Sequence, residues 1–254
     1  MNDVSGDSQR RHSLSDWLAL HELDPVTCRR ILDNIARDAA EKPATDRGPD
    51  SGYQPSDLEV DWLRTAEAMR DFLPGHRNIV DDTFENTVKT VVDRPNRSRK
   101  ALTLDNGPTA YPTILYTYYG QPPDSLIVAH EFGHAVQIRA SRGKFVPPIM
   151  REVCAFLSEG ALLAHALRRD ETQYASLSQA WGADNYKYFG RQRDRLAADL
   201  LQPTTPYKYL WNYPIARYLA IRISVHFSRD RIWSIFEGET SVRRVLCELD
   251  QFPN

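Results

Sequence analysis

Leu126-Ile127-Val128-Ala129-His130-Glu131-Phe132-Gly133-His134-Ala135-Val136 is the stretch from which the rest of the chain is placed. Apolar residues surround its polar ones on every side, the pattern of a helix buried all round. On a helix, residues four apart lie one above the other on a single face. His130 and His134 are therefore within reach of one metal ion, at the spacing of a zinc-binding imidazole pair. Glu131 then points beside the ion, where it can take a proton from an attacking water and pass it to a leaving amine. The same five residues also fit a helical histidine pair satisfied by other partners, so the surrounding sequence must discriminate.

A catalytic zinc usually has three protein ligands and one open position. Downstream, Arg151-Glu152-Val153-Cys154-Ala155-Phe156-Leu157-Ser158-Glu159-Gly160 places two glutamates seven apart, nearly superposed on one helical face. One reading is a pair of solvated surface carboxylates. The other makes Glu152 the third ligand and Glu159 the acceptor that orients a ligand histidine through its second ring nitrogen. The apolar neighbours Val153, Cys154, Ala155, Phe156, Leu157, Ala161, Leu162 and Leu163 leave little of this helix for water. Further on, Tyr207-Lys208-Tyr209-Leu210-Trp211-Asn212-Tyr213 offers phenols that either pack in a core or donate to an oxyanion during peptide hydrolysis.

Working outward, residues 1–13 read as a flexible polar tail and residues 14–42 as a helical hairpin, with a start at Asp24 and Pro25. Residues 43–55, rich in Pro, Gly, Asp and Ser, read as a loop before a second helical stretch that begins near Ser56 and stops before Pro74. In residues 86–120, β-branched and aromatic residues at 87–92, 101–104 and 113–119 alternate with turn-rich 94–98 and 105–112, which predicts a small antiparallel sheet of three strands. Helices are expected over roughly residues 124–142, 147–168, 171–201 and 207–226. The expected fold is mainly α with a minor β component (α+β): one domain over 14–254, with N-terminal helices to 85, the sheet at 86–120 and a helical core from 121.

Lys and Arg number 32 against 34 Asp and Glu, a net charge of −2, so no overall positive field favours nucleic acid or an anionic membrane. No apolar run approaches the roughly 20 residues that cross a bilayer. Cys28, Cys154 and Cys247 are far apart and odd in number, which reads as reduced thiols. With no signal-like segment after Met1, a cytoplasmic location is expected and the Asn96-Arg97-Ser98 triplet carries no weight. His12, His21, His76, His165 and His226 have no partner at ligand spacing and read as ordinary histidines.

Taken in order, three segments resemble the thimet oligopeptidase and oligoendopeptidase F family of zinc peptidases. His130-Glu131-Phe132-Gly133-His134 is similar to that family's active-site helix, including the glycine before the second histidine; inside a helix glycine costs about 1 kcal/mol and needs a reason. The segment from Arg151 to Glu159 is similar to its helix carrying a glutamate ligand and a second glutamate seven residues later, and Tyr207-Lys208-Tyr209-Leu210-Trp211 to its tyrosine-rich segment. Pro112-Thr113-Ile114-Leu115-Tyr116-Thr117-Tyr118-Tyr119-Gly120 is similar to its edge strand and glycine turn. The resemblance implies a helical zincin-like domain with one Zn2+ on His130, His134 and Glu152, Glu159 behind them, and Glu131 as base. It further implies oxyanion stabilisation from Tyr207, Tyr209 or Tyr213, and substrate backbone along Leu115, Tyr116, Thr117, Tyr118 and Gly120. Residues 197–206 lack the histidine that the family places before its tyrosines. The expected partner is a peptide or protein substrate; the alternative is an inactive metal- or peptide-binding regulator with the same fold.

Overall fold

The Asp24 carboxylate accepts from the amides of Val26 and Thr27, both at 2.9 Å, and Pro25 opens the helix behind it. This is the N-cap and first-turn proline anticipated from sequence. The structure is a computed structural model that describes residues 12–38, 55–92 and 101–251. Its helices are α1 (Leu14–Leu20), α2 (Pro25–Asp38), α3 (Leu58–Phe72), α4 (Arg77–Asn86), α5 (Pro122–Ser141), α6 (Pro148–Arg169), α7 (Glu171–Tyr186), α8 (Arg193–Asp199), α9 (Asn212–His226), α10 (Arg229–Phe236) and α11 (Val242–Leu249). Three strands, β1 (Val88–Val91), β2 (Ala101–Leu104) and β3 (Thr113–Tyr116), form one small sheet. The fold is mainly α with a minor β component.

The sheet corrects the expectation in two ways. Its order is β1-β3-β2, and although β2 and β3 are antiparallel, β1 runs parallel to β3, so the sheet is mixed rather than antiparallel. Consequently β3, the strand expected at the edge, is the centre of the sheet and is hydrogen-bonded on both sides. Strand pairing is non-local, and residue patterns fix where strands lie without fixing which neighbour each one takes. The edge strand that lies against α5 is β2.

Helices α5, α6 and α9 pack with α3 around a buried cluster running from Leu14 to Leu249. The glycine in the α5 motif has its reason here. A Cβ at Gly133 would lie 2.8 Å from Ala155 Cα, Cys154 O and Ser158 Cβ, so only glycine lets α5 come this close to α6. The start of α5 is tied down by Asp124, whose carboxylate accepts from the amides of Gln121 at 2.9 Å and Tyr119 at 3.2 Å. One residue on, Ser125 donates at 2.6 Å to the buried Asp61 of α3, which also accepts from Ser56 and Tyr118. Buried carboxylates are tolerable only when hydrogen-bonded in this way, and together they fix where the motif begins.

At the other end of the chain, the expected tail is described only from His12 onward. His12 O accepts from Tyr207 N at 2.8 Å and Leu14 N donates to Thr205 O at 2.9 Å, which holds the tyrosine segment against α1. The loop at 43–55, apart from Pro55, and the turn at 94–98 lie outside the described residues. The single helix expected over 171–201 is interrupted by a π-helical turn, Lys187–Gln192, between α7 and α8. Among the described residues no helix is long and apolar enough to cross a membrane. Cys28, Cys154 and Cys247 form no disulfide.

Candidate metal centre

The glycine contact sets α5 against α6 with the right faces together. His130 and His134 of α5 meet Glu152 of α6: His130 Nε2 is 3.1 Å from Glu152 Oε2, and His134 Nε2 is 3.6 Å from Glu152 Oε1. One ligand atom from each of the three lies within 4.8 Å of the others. Ligands about 2.0–2.2 Å from a tetrahedral metal are themselves roughly 3.3–3.6 Å apart, so the cluster has the scale of a metal site. His134 and Glu152 are buried, while His130 is slightly exposed.

The electrostatics of the three residues differ: His134 is held neutral, whereas on His130 a proton shared with Glu152 takes the place that a cation would fill. Burial pushes His134 down to about 3, which leaves a neutral imidazole with a lone pair to give. Burial alone would raise Glu152, but the two histidines and Tyr209 outweigh it and hold the carboxyl at about 2. His130 is also opposed by burial, yet its hydrogen bonds to Glu152 and Glu159 raise it well above the ordinary histidine value. Apart from its approach to His130, Glu152 Oε2 is buried without a hydrogen-bond partner among the described residues, as is His134 Nδ1. A buried carboxylate this short of donors, facing two imidazoles, fits a cation at their centre.

Behind the cluster, His130 Nδ1 lies 2.7 Å from Glu159 Oε1. The carboxylate only accepts, so Nδ1 carries the proton and Nε2 is the nitrogen turned toward Glu152. This is the place the sequence assigned to Glu159. Glu131 is buried beside the ligand set and outside it, with Oε2 accepting from Thr103 Oγ1 of β2 at 2.6 Å. Burial raises its carboxyl above the usual range, against the pull of His130 and the Thr103 hydroxyl.

The three tyrosines differ in position. Tyr209 donates from its hydroxyl to Glu152 Oε1 at 2.6 Å and so reaches the cluster directly. Tyr213 lies 5.8 Å ring to ring from Tyr209 and 5.5 Å from Tyr188, in an aromatic wall that includes Phe156. Tyr207 accepts from Asn212 Nδ2 at 3.0 Å and packs on Trp211.

The strand residues expected to bind substrate sit in a buried, paired part of the structure, where Tyr116 feels the charge of Glu131. Leu115 lies on the central strand, Tyr116 and Thr117 are buried, and Tyr118 is bonded to Asp61. Gly120 turns at φ +71° with its carbonyl accepting from Ser56 N. Leu115 and Tyr116 lie on a central strand paired on both sides, which leaves them no spare main-chain groups for an added strand. Sequence reasoning missed Thr103 and the buried Arg217, which donates to Glu159 Oε2 at 2.6 Å. Thr103 carries no local signal. Arg217 does, as a lone cation inside the apolar run from Pro214 to Ala220.

No family model and no curated protein matches the chain. Among solved structures, it is similar to a crystal structure from Chlamydophila abortus described as a "putative peptidase", at 15% identity and a TM-score of 0.54. The likeness covers 96% of this chain and 45% of that one, so the chain spans less than half the length of the structure it matches. At this identity the likeness is one of fold.

Proposed function

We propose that the chain is a zinc-dependent peptidase of the gluzincin type, with its site arranged as in the thimet oligopeptidase and oligoendopeptidase F family. One observation carries the reading: His130, His134 and Glu152 converge while a fourth buried group, Glu131, stands beside them and outside the ligand set. His130, His134 and Glu152 would hold the ion, and mixed imidazole and carboxylate ligation suits zinc. When bound, zinc supplies Lewis acidity, lowering the pKa of a coordinated water and polarising the scissile carbonyl.

The chain's own residues supply the rest. Glu131, raised by burial and held by Thr103, takes a proton from the attacking water as the new C–O bond forms, and returns it to nitrogen as the C–N bond breaks. Tyr209 already directs its hydroxyl into the cluster, and with Tyr213 beside it is the donor for the oxyanion. Tyr207, engaged by Asn212, supports the aromatic wall. An extended substrate would add to the sheet along β2, which has β3 on one side only among the described strands and bears the threonine that touches Glu131. The substrate is a peptide or protein, and the net charge of −2 still argues against nucleic acid or a membrane as partner.

Elemental mass spectrometry should find close to one zinc per chain, lost or much weakened in His134→Ala and Glu152→Ala. Glu131→Gln should keep the zinc and cut peptide-library cleavage by about 10²–10⁴-fold, the range of a general base. Wild-type protein that binds no zinc when zinc is supplied, or a Glu131→Gln variant that cleaves at the wild-type rate, sinks the proposal.

A further inference from the structure

Arg217 lies in α9 within Pro214-Ile215-Ala216-Arg217-Tyr218-Leu219-Ala220, every member of which is buried, and is itself 0% exposed. A buried guanidinium needs its charge matched, and here two of its nitrogens are hydrogen-bonded while Nη2 has no hydrogen-bond partner among the described residues. Nη1 donates to Glu159 Oε2 at 2.6 Å and Nε to Asn185 Oδ1 at 2.7 Å. The guanidinium carbon sits 3.1 Å from the centre of the Trp181 ring and 4.8 Å from that of Phe156. Residues from α6 and α7 therefore hold this α9 side chain on several sides.

The clamp continues into the metal centre. Glu159 spends Oε2 on Arg217 and Oε1 on His130 Nδ1, so two hydrogen bonds link a fixed cation to a ligand imidazole. A carboxylate held at one oxygen cannot turn about its last bond without breaking that contact, so its other oxygen is held in place as well. We propose that Arg217 is a positioning residue for the metal centre: it locks Glu159 in one rotamer, and Glu159 in turn aims His130 Nε2 at the point where Glu152 and His134 converge. The inference rests on the metal-site reading above. A purely structural role, tying α9 to α6 and α7, would lower fold stability in a variant while leaving the metal affinity of the folded protein unchanged.

The full-length chain serves for the test, as wild type, Arg217→Met, Arg217→Lys, Glu159→Gln and the two double variants that add Glu159→Gln. The readouts are the zinc dissociation constant, from competition with a chromophoric chelator, and the visible absorption of the Co2+-loaded protein. Loss of a group that orients a ligand histidine weakens metal binding by about 10–100-fold. Arg217→Met should fall near the lower end, about tenfold, with an altered Co2+ spectrum, and Arg217→Lys should recover part of the loss. In the Glu159→Gln background, either Arg217 change should add less than about twofold, because the path through Glu159 is already cut. If Arg217→Met does not fold, the Arg217→Lys cycle decides by the same criteria. Folded Arg217 variants with wild-type affinity and spectrum, or losses that simply multiply with that of Glu159→Gln, overturn the inference. Wild-type protein that binds neither metal overturns the metal-site reading and this inference with it, whereas intact wild-type binding beside unaffected Arg217 variants overturns this inference alone.

Discussion

Where α5 runs against α6, the contact is closed: a glycine set against backbone, two imidazoles facing one carboxylate, and a second carboxylate locked behind by a buried arginine. Where α5 meets the sheet, the contact is sparse, and a single threonine hydroxyl reaches Glu131 from β2. The strands are four residues long, and Val88, Leu102 and Leu104 on the face turned away from the helices stay exposed. The proposed ligands thus sit in an over-determined seam, where each has a fixed neighbour, and the proposed substrate side is an open edge. Metal binding needs preorganised ligands, whereas a strand edge gains its partner only when an extended chain arrives. One centre can combine a rigid side and an adaptable one because α5 belongs to both.

The closed seam depends most on Gly133. In a helix, Gly133→Ala gains up to about 1 kcal/mol of propensity. Against that, its methyl would sit 2.8 Å from Ala155 Cα and Cys154 O, and backbone cannot move aside as a flexible side chain does. Overpacking of this kind costs about 1–3 kcal/mol or more. Repulsion should win by about 1 kcal/mol or more net, read as a lowered urea midpoint, with weaker zinc binding because α5 and α6 are pushed apart. Unchanged or increased stability would mean that the seam is not closed.

On the sheet side, Thr103→Val removes the one hydroxyl that holds Glu131 while leaving the strand intact. A drop of about tenfold in kcat, on the order of 1.4 kcal/mol, is expected, with stability and zinc content close to wild type. The sign of the pH effect is fixed by which form the bond favours. Thr103 donates to the ionised carboxylate and lowers the Glu131 pKa, so its removal raises that pKa further. The acid limb of the kcat/KM profile should move to higher pH. An acid limb that stays put would separate Thr103 from the base.

How much of each region could be read in advance follows from the range of the interactions that build it. The seam was legible because its chemistry lies on two continuous helices, where spacing alone puts His130 with His134 and Glu152 with Glu159. Even the reason for Gly133 was asked for by its helix cost and answered by the packing. Arg217, on a third helix, left only the trace of a charge in an apolar run. In the sheet, strand positions at 88–91, 101–104 and 113–116 were legible from β-branched and aromatic residues. The parallel pairing of β1 with β3 was not, since it joins segments with β2 between them in sequence. The strand expected at the edge, β3, is central, and β2 is an edge of the described sheet. The π-helical turn at Lys187–Gln192 was equally hidden, because its residues read as ordinary helix.

The smallest effect is expected on the outer face of the sheet. Leu102 is 54% exposed and pairs with Leu115 on the face away from α5, while its neighbour Thr103 points inward. If that face is open, Leu102→Thr exchanges one strand-compatible side chain for another with little apolar area at stake. Stability should then stay within about 0.5 kcal/mol of wild type by urea unfolding, as for most surface substitutions. Cleavage should also hold, because the substrate is proposed to lie along the strand's edge and beside Thr103, not across the far face of the sheet. A loss above about 1 kcal/mol would mean that Leu102 is covered, and the sheet would then be a second packed region rather than the adaptable side of the centre.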